Sequence, residues 1–103
     1  MANTLIHVID GYVKKIDKGC FKNYVSAYSS DVKEKLLAYM RKFKADAFTS
    51  APVVDIITGE RIREGNNRRT DGKYAWLEDE IYHLDKYNLQ LNNDFIEYVL
   101  KHS

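Results

Sequence analysis

The spacing of apolar residues divides the chain into helical and strand-like stretches. Leu5, Ile6, Ile9, Tyr12, Val13 and Ile16 recur at steps of one, three, three, one and three, which lays one stripe along a helix over residues 4–17. Gly11 weakens that helix, and Asp17-Lys18-Gly19 ends it. A short stretch around Phe21, Tyr24, Val25 and Tyr28 follows, and then Ser29-Ser30-Asp31 with Glu34 behind it, the composition of a capped helix start. The helix this opens, from about residue 31 to 44, sets Val32, Leu36, Met40 and Phe43 toward a core. Lys33, Glu34, Lys35, Arg41 and Lys42 occupy its other side.

The period then changes. Phe48, Val53, Val54, Ile56, Ile57 and Ile62 are aromatic or β-branched and sit among Thr, Ser, Pro and Gly, the marks of strand and turn. Pro52 suits the first residue of a strand or an edge. Asp55-Ile56-Ile57-Thr58-Gly59-Glu60 reads as a hairpin tip in which Asp55 accepts amides two or three residues on and Gly59 takes the left-handed conformation. A second turn is expected at Thr70-Asp71-Gly72, leading into Lys73-Tyr74-Ala75-Trp76. Between the turns, residues 63–69 are the most loop-like part of the chain. Helical spacing resumes with Leu77, Ile81, Leu84 and Asn88, and Glu78, Asp79 and Glu80 fall in the first turn, where the helix dipole favours negative charge. Asn88-Leu89-Gln90-Leu91 interrupts it, and a last helix capped by Asn92 or Asn93 presents Phe95, Ile96, Val99 and Leu100 on one side. The expected architecture is α+β: N-terminal helices, a small antiparallel meander, then two C-terminal helices.

A length of 103 residues bounds this to one globular domain. A 45% apolar and 30% charged composition is that of a folded, water-soluble protein. The formal charge of +1 argues against a dedicated nucleic-acid or membrane-surface protein on bulk charge. Residues 1–44 nevertheless hold nine Lys/Arg against four Asp/Glu, and residues 78–103 hold two against six. The simplest consequence is that the two ends pair within the fold. Cys20 is the single cysteine, so no intrachain disulfide forms, and a reducing compartment follows. With no secretory leader in MANTLIHVIDGYVKK and no membrane-length apolar run, the expected location is the cytoplasm.

No catalytic or metal motif stands out, and neither a cofactor nor an enzymatic activity is expected. His7, His83 and His102 stand apart without metal-ligand spacing and read as surface or core-edge residues. Cys20, beside Phe21 and Tyr24, reads as a buried thiol rather than a nucleophile. Asp79, Glu80, Asp85 and Glu97 offer carboxylates for acid–base work, but nothing fixes a distance between them. Arg61, Arg63, Arg68 and Arg69, with Asn66, Asn67 and Lys73, suit phosphate contacts, and Tyr74 and Trp76 offer stacking faces. Glu60, Glu64 and Asp71 interleave with them, so a solvated loop with internal ion pairs is the alternative.

Eight tyrosines and the adjacent pair Ile56-Ile57 raise protein binding instead. Isoleucines at a hairpin tip either fold onto their own core or form an apolar knob that inserts into another molecule. Buried in a partner, each side chain is worth about 1.5 to 3 kcal/mol.

The run Thr70-Asp71-Gly72-Lys73-Tyr74-Ala75-Trp76, the helix Asp79 to Leu89 with Lys86-Tyr87, then Leu91 and Phe95-Ile96 resemble a pattern in a group of small bacterial proteins. In them a T-D-G turn precedes an aromatic-x-Trp strand and a helix ending in K-Y. Asp55 to Glu60 fits the D-x-x-T-G-E upstream of that pattern, and Asn92 stands where the pattern has Pro. The resemblance covers about the last half of the chain and concerns fold signature, not chemistry. Such proteins are similar to the small immunity or antidote proteins that neutralise a cognate toxin. The resulting expectation is a non-enzymatic inhibitor or immunity protein that binds a toxin or enzyme through Ile56, Ile57, Arg61, Arg63, Arg68, Arg69, Tyr74, Asp79 and Glu80. The alternative is a small nucleic-acid module using the same arginines with the basic face of the 33–44 helix.

Overall fold

The computed structural model describes residues 6–8 and 25–102. Their elements run β1 (Ile6–His7), α1 (Ser30–Lys42), β2 (Ala45–Ala47), β3 (Pro52–Val54), β4 (Arg61–Glu64), β5 (Arg68–Thr70), β6 (Tyr74–Leu77), α2 (Glu78–Tyr87) and α3 (Asn93–His102). The architecture is α+β, with two small sheets in place of the expected meander. One sheet has the order β1-β6-β5-β2, and β3 with β4 makes a separate hairpin. Among the described residues a single helix, α1, precedes the hairpins.

α1 forms where expected. Ser29 is its N-cap and accepts the Val32 amide at 3.2 Å. Leu36 and Met40 are fully buried, while Val32 and Phe43 are half-buried against the same core. Lys35, Arg41 and Lys42 stay exposed on the other side. The anticipated helix over 4–17 is corrected at Ile6–His7, which pairs as a strand in parallel with Tyr74 and Ala75 of β6. Its backbone bonds to Lys73 and Ala75 tie it there, a tertiary pairing that overrides a local helical period. The remainder of that segment and Cys20, Phe21 and Tyr24 lie outside the described residues.

Both turns form as their chemistry demands. Asp55 Oδ1 accepts the amides of Ile57 at 2.8 Å and Thr58 at 3.0 Å, and Gly59 sits at φ +76°. Asp71 Oδ1 accepts the amides of Lys73 and Tyr74, and Gly72 takes φ +99°. The stretch read as loop is instead largely strand: β4 runs through Glu64, β5 starts at Arg68, and only residues 65–67 connect them.

The main core gathers α1, α2, α3 and β6 around Trp76. Its indole is 0% exposed, donates Nε1–H to the Met40 carbonyl at 3.0 Å, and lies 5.6 Å from the Phe95 ring and 5.9 Å from Phe43. Tyr74, proposed above as a surface contact, is a core residue, 5.0 Å from the Phe95 ring. Ile56 and Ile57 are half-buried and pack against this core, so the tip folds onto its own protein rather than projecting as a knob. Tyr28 holds the connection between α2 and α3 by donating to the Leu89 carbonyl and accepting the Leu91 amide. Asn92 precedes α3 and receives the Ile96 amide on its carbonyl, while its side chain donates to the His7 carbonyl.

α2 ends at Asn88 in the left-handed conformation, φ 60° and ψ 47°, with the buried Asn88 Oδ1 lacking a hydrogen bond among the described residues. Glycine suits that backbone and removes the oxygen. Asn88→Gly should therefore hold or raise stability by up to about 1 kcal/mol, whereas Asn88→Val should lose about 1 to 2 kcal/mol. Thermal unfolding of the two variants beside wild type checks the pair.

Candidate functional site

Three adjacent carboxylates open α2, and all three are buried. Position in the first turn is explained by the helix dipole; burial is not, because a desolvated charge needs partners. The chain supplies them from four different places. Glu78 accepts Arg63 from β4 on Oε2 and Arg69 from β5 on Oε1. Asp79 exchanges two hydrogen bonds with Asn66 of the β4–β5 connection: Asn66 Nδ2 donates to Oδ2, and the Asp79 amide donates to Asn66 Oδ1, both at 3.0 Å. Glu80 Oε1 reaches back to the Leu77 amide at 2.8 Å, as a capping-box glutamate does, and Oε2 meets His7 Nε2 of β1 at 2.6 Å.

Arg69 extends the network. Its Nη1 donates to the Phe43 carbonyl at 2.6 Å and the Arg41 carbonyl at 3.0 Å, so one guanidinium satisfies the end of α1 and the start of α2. Arg68 grips Asp46 through Nε and Nη2, Arg61 pairs with Glu64, and Arg41 pairs with Asp85. Each of the four arginines singled out in the sequence thus has an acidic partner within the fold. They do not converge on one surface loop, and Asp79 and Glu80 face inward rather than toward a partner. The Arg41–Asp85 pair joins the basic front of the chain to its acidic back, as the charge distribution suggested.

A second centre lies at Asp55, which is fully buried. Oδ1 shapes its own turn, and Oδ2 accepts the hydroxyls of Tyr82 and Tyr87 of α2, both at 2.7 Å. Desolvation opposes the charge, but these donors outweigh it and hold the carboxyl well below its ordinary value of 3.8. Burial and the Asp55 carboxylate push Tyr82 up to about 12. Beside it, His83 is buried rather than at the surface. Its Nδ1 lies 2.6 Å from the Asp79 carbonyl and its Nε2 lies 3.2 Å from the Ile56 amide nitrogen, so the proton sits on Nδ1 and Nε2 accepts. Asp71 repeats the Asp55 device, one oxygen in its turn and the other receiving Tyr39 of α1 at 2.5 Å.

The feature that sequence reasoning missed is Phe48. It lies between β2 and β3, is 79% exposed, and borders an open depression with Thr49, Ser50, Glu64, Gly65 and Asn67. Its aromatic character placed it among the strand and turn residues, and no local signal tells whether such a ring is covered.

Among the described residues no group of three or more His, Cys, Asp or Glu is arranged to hold a metal ion, and no helix is long and apolar enough to cross a membrane. No family model, curated protein or solved structure matches the chain.

Asp55→Asn replaces a carboxylate that accepts four hydrogen bonds and should cost about 2 to 4 kcal/mol at neutral pH. The folded-state value of Asp55 is depressed, so its contribution is present above the ordinary value of 3.8 and fades as pH falls below it. Urea unfolding at neutral and acid pH should show the variant's deficit shrinking in acid. His7 behaves oppositely. Its hydrogen bond to Glu80 raises it above 6.5 despite partial burial, and burial raises Glu80 above 4.5. Both shifts favour protonated forms, so their stabilisation is present at low pH and lost as pH rises through the folded values. Wild type should lose stability as pH rises above the ordinary histidine value of 6.5, and His7→Gln should flatten that slope.

Proposed function

We propose that this protein is a non-catalytic protein-binding module that acts by surface complementarity, in the manner of a small inhibitor or immunity protein occluding a larger partner. The observation that carries the reading is Phe48, an aromatic side chain left 79% exposed beside a depression rimmed by Thr49, Ser50, Glu64 and Asn67. Aromatic anchors within polar rims are the usual source of binding energy in protein interfaces. An interface of about 800 Å² per partner is within reach of a domain this size. The resemblance of the T-D-G turn, the aromatic-x-Trp strand and the K-Y helix to immunity-like proteins supports the same reading. Phe48 replaces Ile56 and Ile57 as the leading anchor, because those two already pack at home.

The nucleic-acid alternative draws less support. Arg61, Arg63, Arg68 and Arg69 each hold an acidic partner, so phosphate contacts would compete with pairs already made.

The test is affinity capture from lysate of the source cell at low and moderate salt, with wild type and Phe48→Ser. Truncating so exposed a side chain should leave stability within about 0.5 kcal/mol, so lost binding will not reflect unfolding. One stoichiometric protein retained at both salts and lost with Phe48→Ser is the expected result. Nucleic acid recovered only at low salt, indifferent to Phe48→Ser, would overturn the reading.

A further inference from the structure

A cleft of about 440 Å³ opens between the β3–β4 hairpin, the last turn of α1 and α2. Its apolar lining is Val53, Ile62 and Ile81, of which Val53 and Ile81 are buried. The same cleft is lined by three guanidinium groups, Arg41, Arg63 and Arg69, with the carboxylates of Glu78 and Asp85. Such a volume suits a small organic ligand, and the combination of apolar and charged lining specifies its kind.

Charge and donor capacity narrow the choice. Three arginines against two carboxylates leave the cleft one positive charge in surplus. A guanidinium has five N–H donors. Arg69 is largely spent, with Nε on Glu78 and Nη1 on two backbone carbonyls. Arg63 reaches Glu78 through Nη2, and Arg41 reaches Asp85 through Nη2. Each of those two is steadied at one nitrogen and keeps donors for a planar anion. A single negative charge balances the surplus, whereas a phosphate dianion would leave the cleft net negative beside Glu78 and Asp85. The apolar lining rewards a hydrocarbon body next to that charge.

We infer that this cleft binds a monocarboxylate carried on an apolar stem, with Arg41 and Arg63 receiving the carboxylate and Val53, Ile62 and Ile81 the stem. The site is separate from Phe48 and does not depend on the partner-binding reading. Its carboxylate belongs either to a free organic acid or to the C-terminus of another chain, since both offer the same group on an apolar body.

The experiment is an NMR titration of the full chain with 3-phenylpropionate, following the methyl resonances of Val53, Ile62 and Ile81. The neutral amide 3-phenylpropionamide and inorganic phosphate serve as comparisons. A short peptide ending in phenylalanine, as its free acid and as its C-terminal amide, distinguishes the two sources. Saturable shifts with either acid, absent with its amide and not displaced by phosphate, are expected. Arg41→Gln removes one half of an exposed ion pair and should weaken binding about tenfold without unfolding the chain. Asp85→Asn raises the surplus by one charge and should tighten binding about three- to tenfold, an outcome no folding defect produces. Phe48→Ser should change nothing. Shifts of equal size with acid and amide, preference for phosphate, the absence of saturation, or indifference to both Arg41→Gln and Asp85→Asn would overturn the inference.

Discussion

Burying three consecutive carboxylates at the start of one helix is the constraint around which this fold is arranged. A desolvated, unpaired carboxylate costs more than a small domain can lose, and the dipole of a ten-residue helix offsets only a fraction of it. Glu78, Asp79 and Glu80 are affordable only because β1, β4, β5 and the β4–β5 connection each bring a donor to α2. The strands are short, two to four residues, and their ladders alone hold them weakly. The acidic turn supplies what the ladders do not. It fixes both sheets against the same helix and, through Arg69, fixes the end of α1 as well.

The two aspartate turns serve the same end on a smaller scale. In each, one carboxylate oxygen shapes its own hairpin and the other accepts tyrosine hydroxyl from a helix: Tyr82 and Tyr87 on Asp55, Tyr39 on Asp71. These bonds tie each turn to the helical layer. This also accounts for three of the eight tyrosines without an interface, since a ring that fills the core edge and a hydroxyl that ends on a buried acid do both tasks at once.

Local chemistry was legible in the sequence, and long-range satisfaction was not. The stripe Val32, Leu36, Met40, Phe43 and the cap at Ser29 located α1, and Asp55, Gly59 and the T-D-G turn located both hairpins, because each depends on residues within one turn of itself. The partners of Glu78, Asp79 and Glu80 lie up to 73 positions away, and no spacing rule connects them. Ile6 fits a helical stripe as well as a strand, and the choice was made by pairing with Tyr74 and Ala75 rather than by its neighbours in sequence. Of the residues named as contacts, Tyr74, Asp79 and Glu80 proved buried, and the arginines proved paired. Both the cleft beside Arg41 and Arg63 and the exposed ring of Phe48 come from how elements meet.

The parallel pairing of β1 with β6 has a consequence for the order in which the chain assembles. Hairpins β3–β4 and β5–β6 close over a handful of residues, and β6 runs directly into α2 at Leu77-Glu78. Joining His7 to Glu80 instead closes a span of 73 residues, for little backbone pairing in return. Chain entropy makes that closure late, after the hairpins and α2 have already assembled the receiving edge and the acidic pocket. On that order β1 is the final clasp on a framework built from the other described elements, and interactions formed there govern how slowly the protein opens more than how quickly it folds.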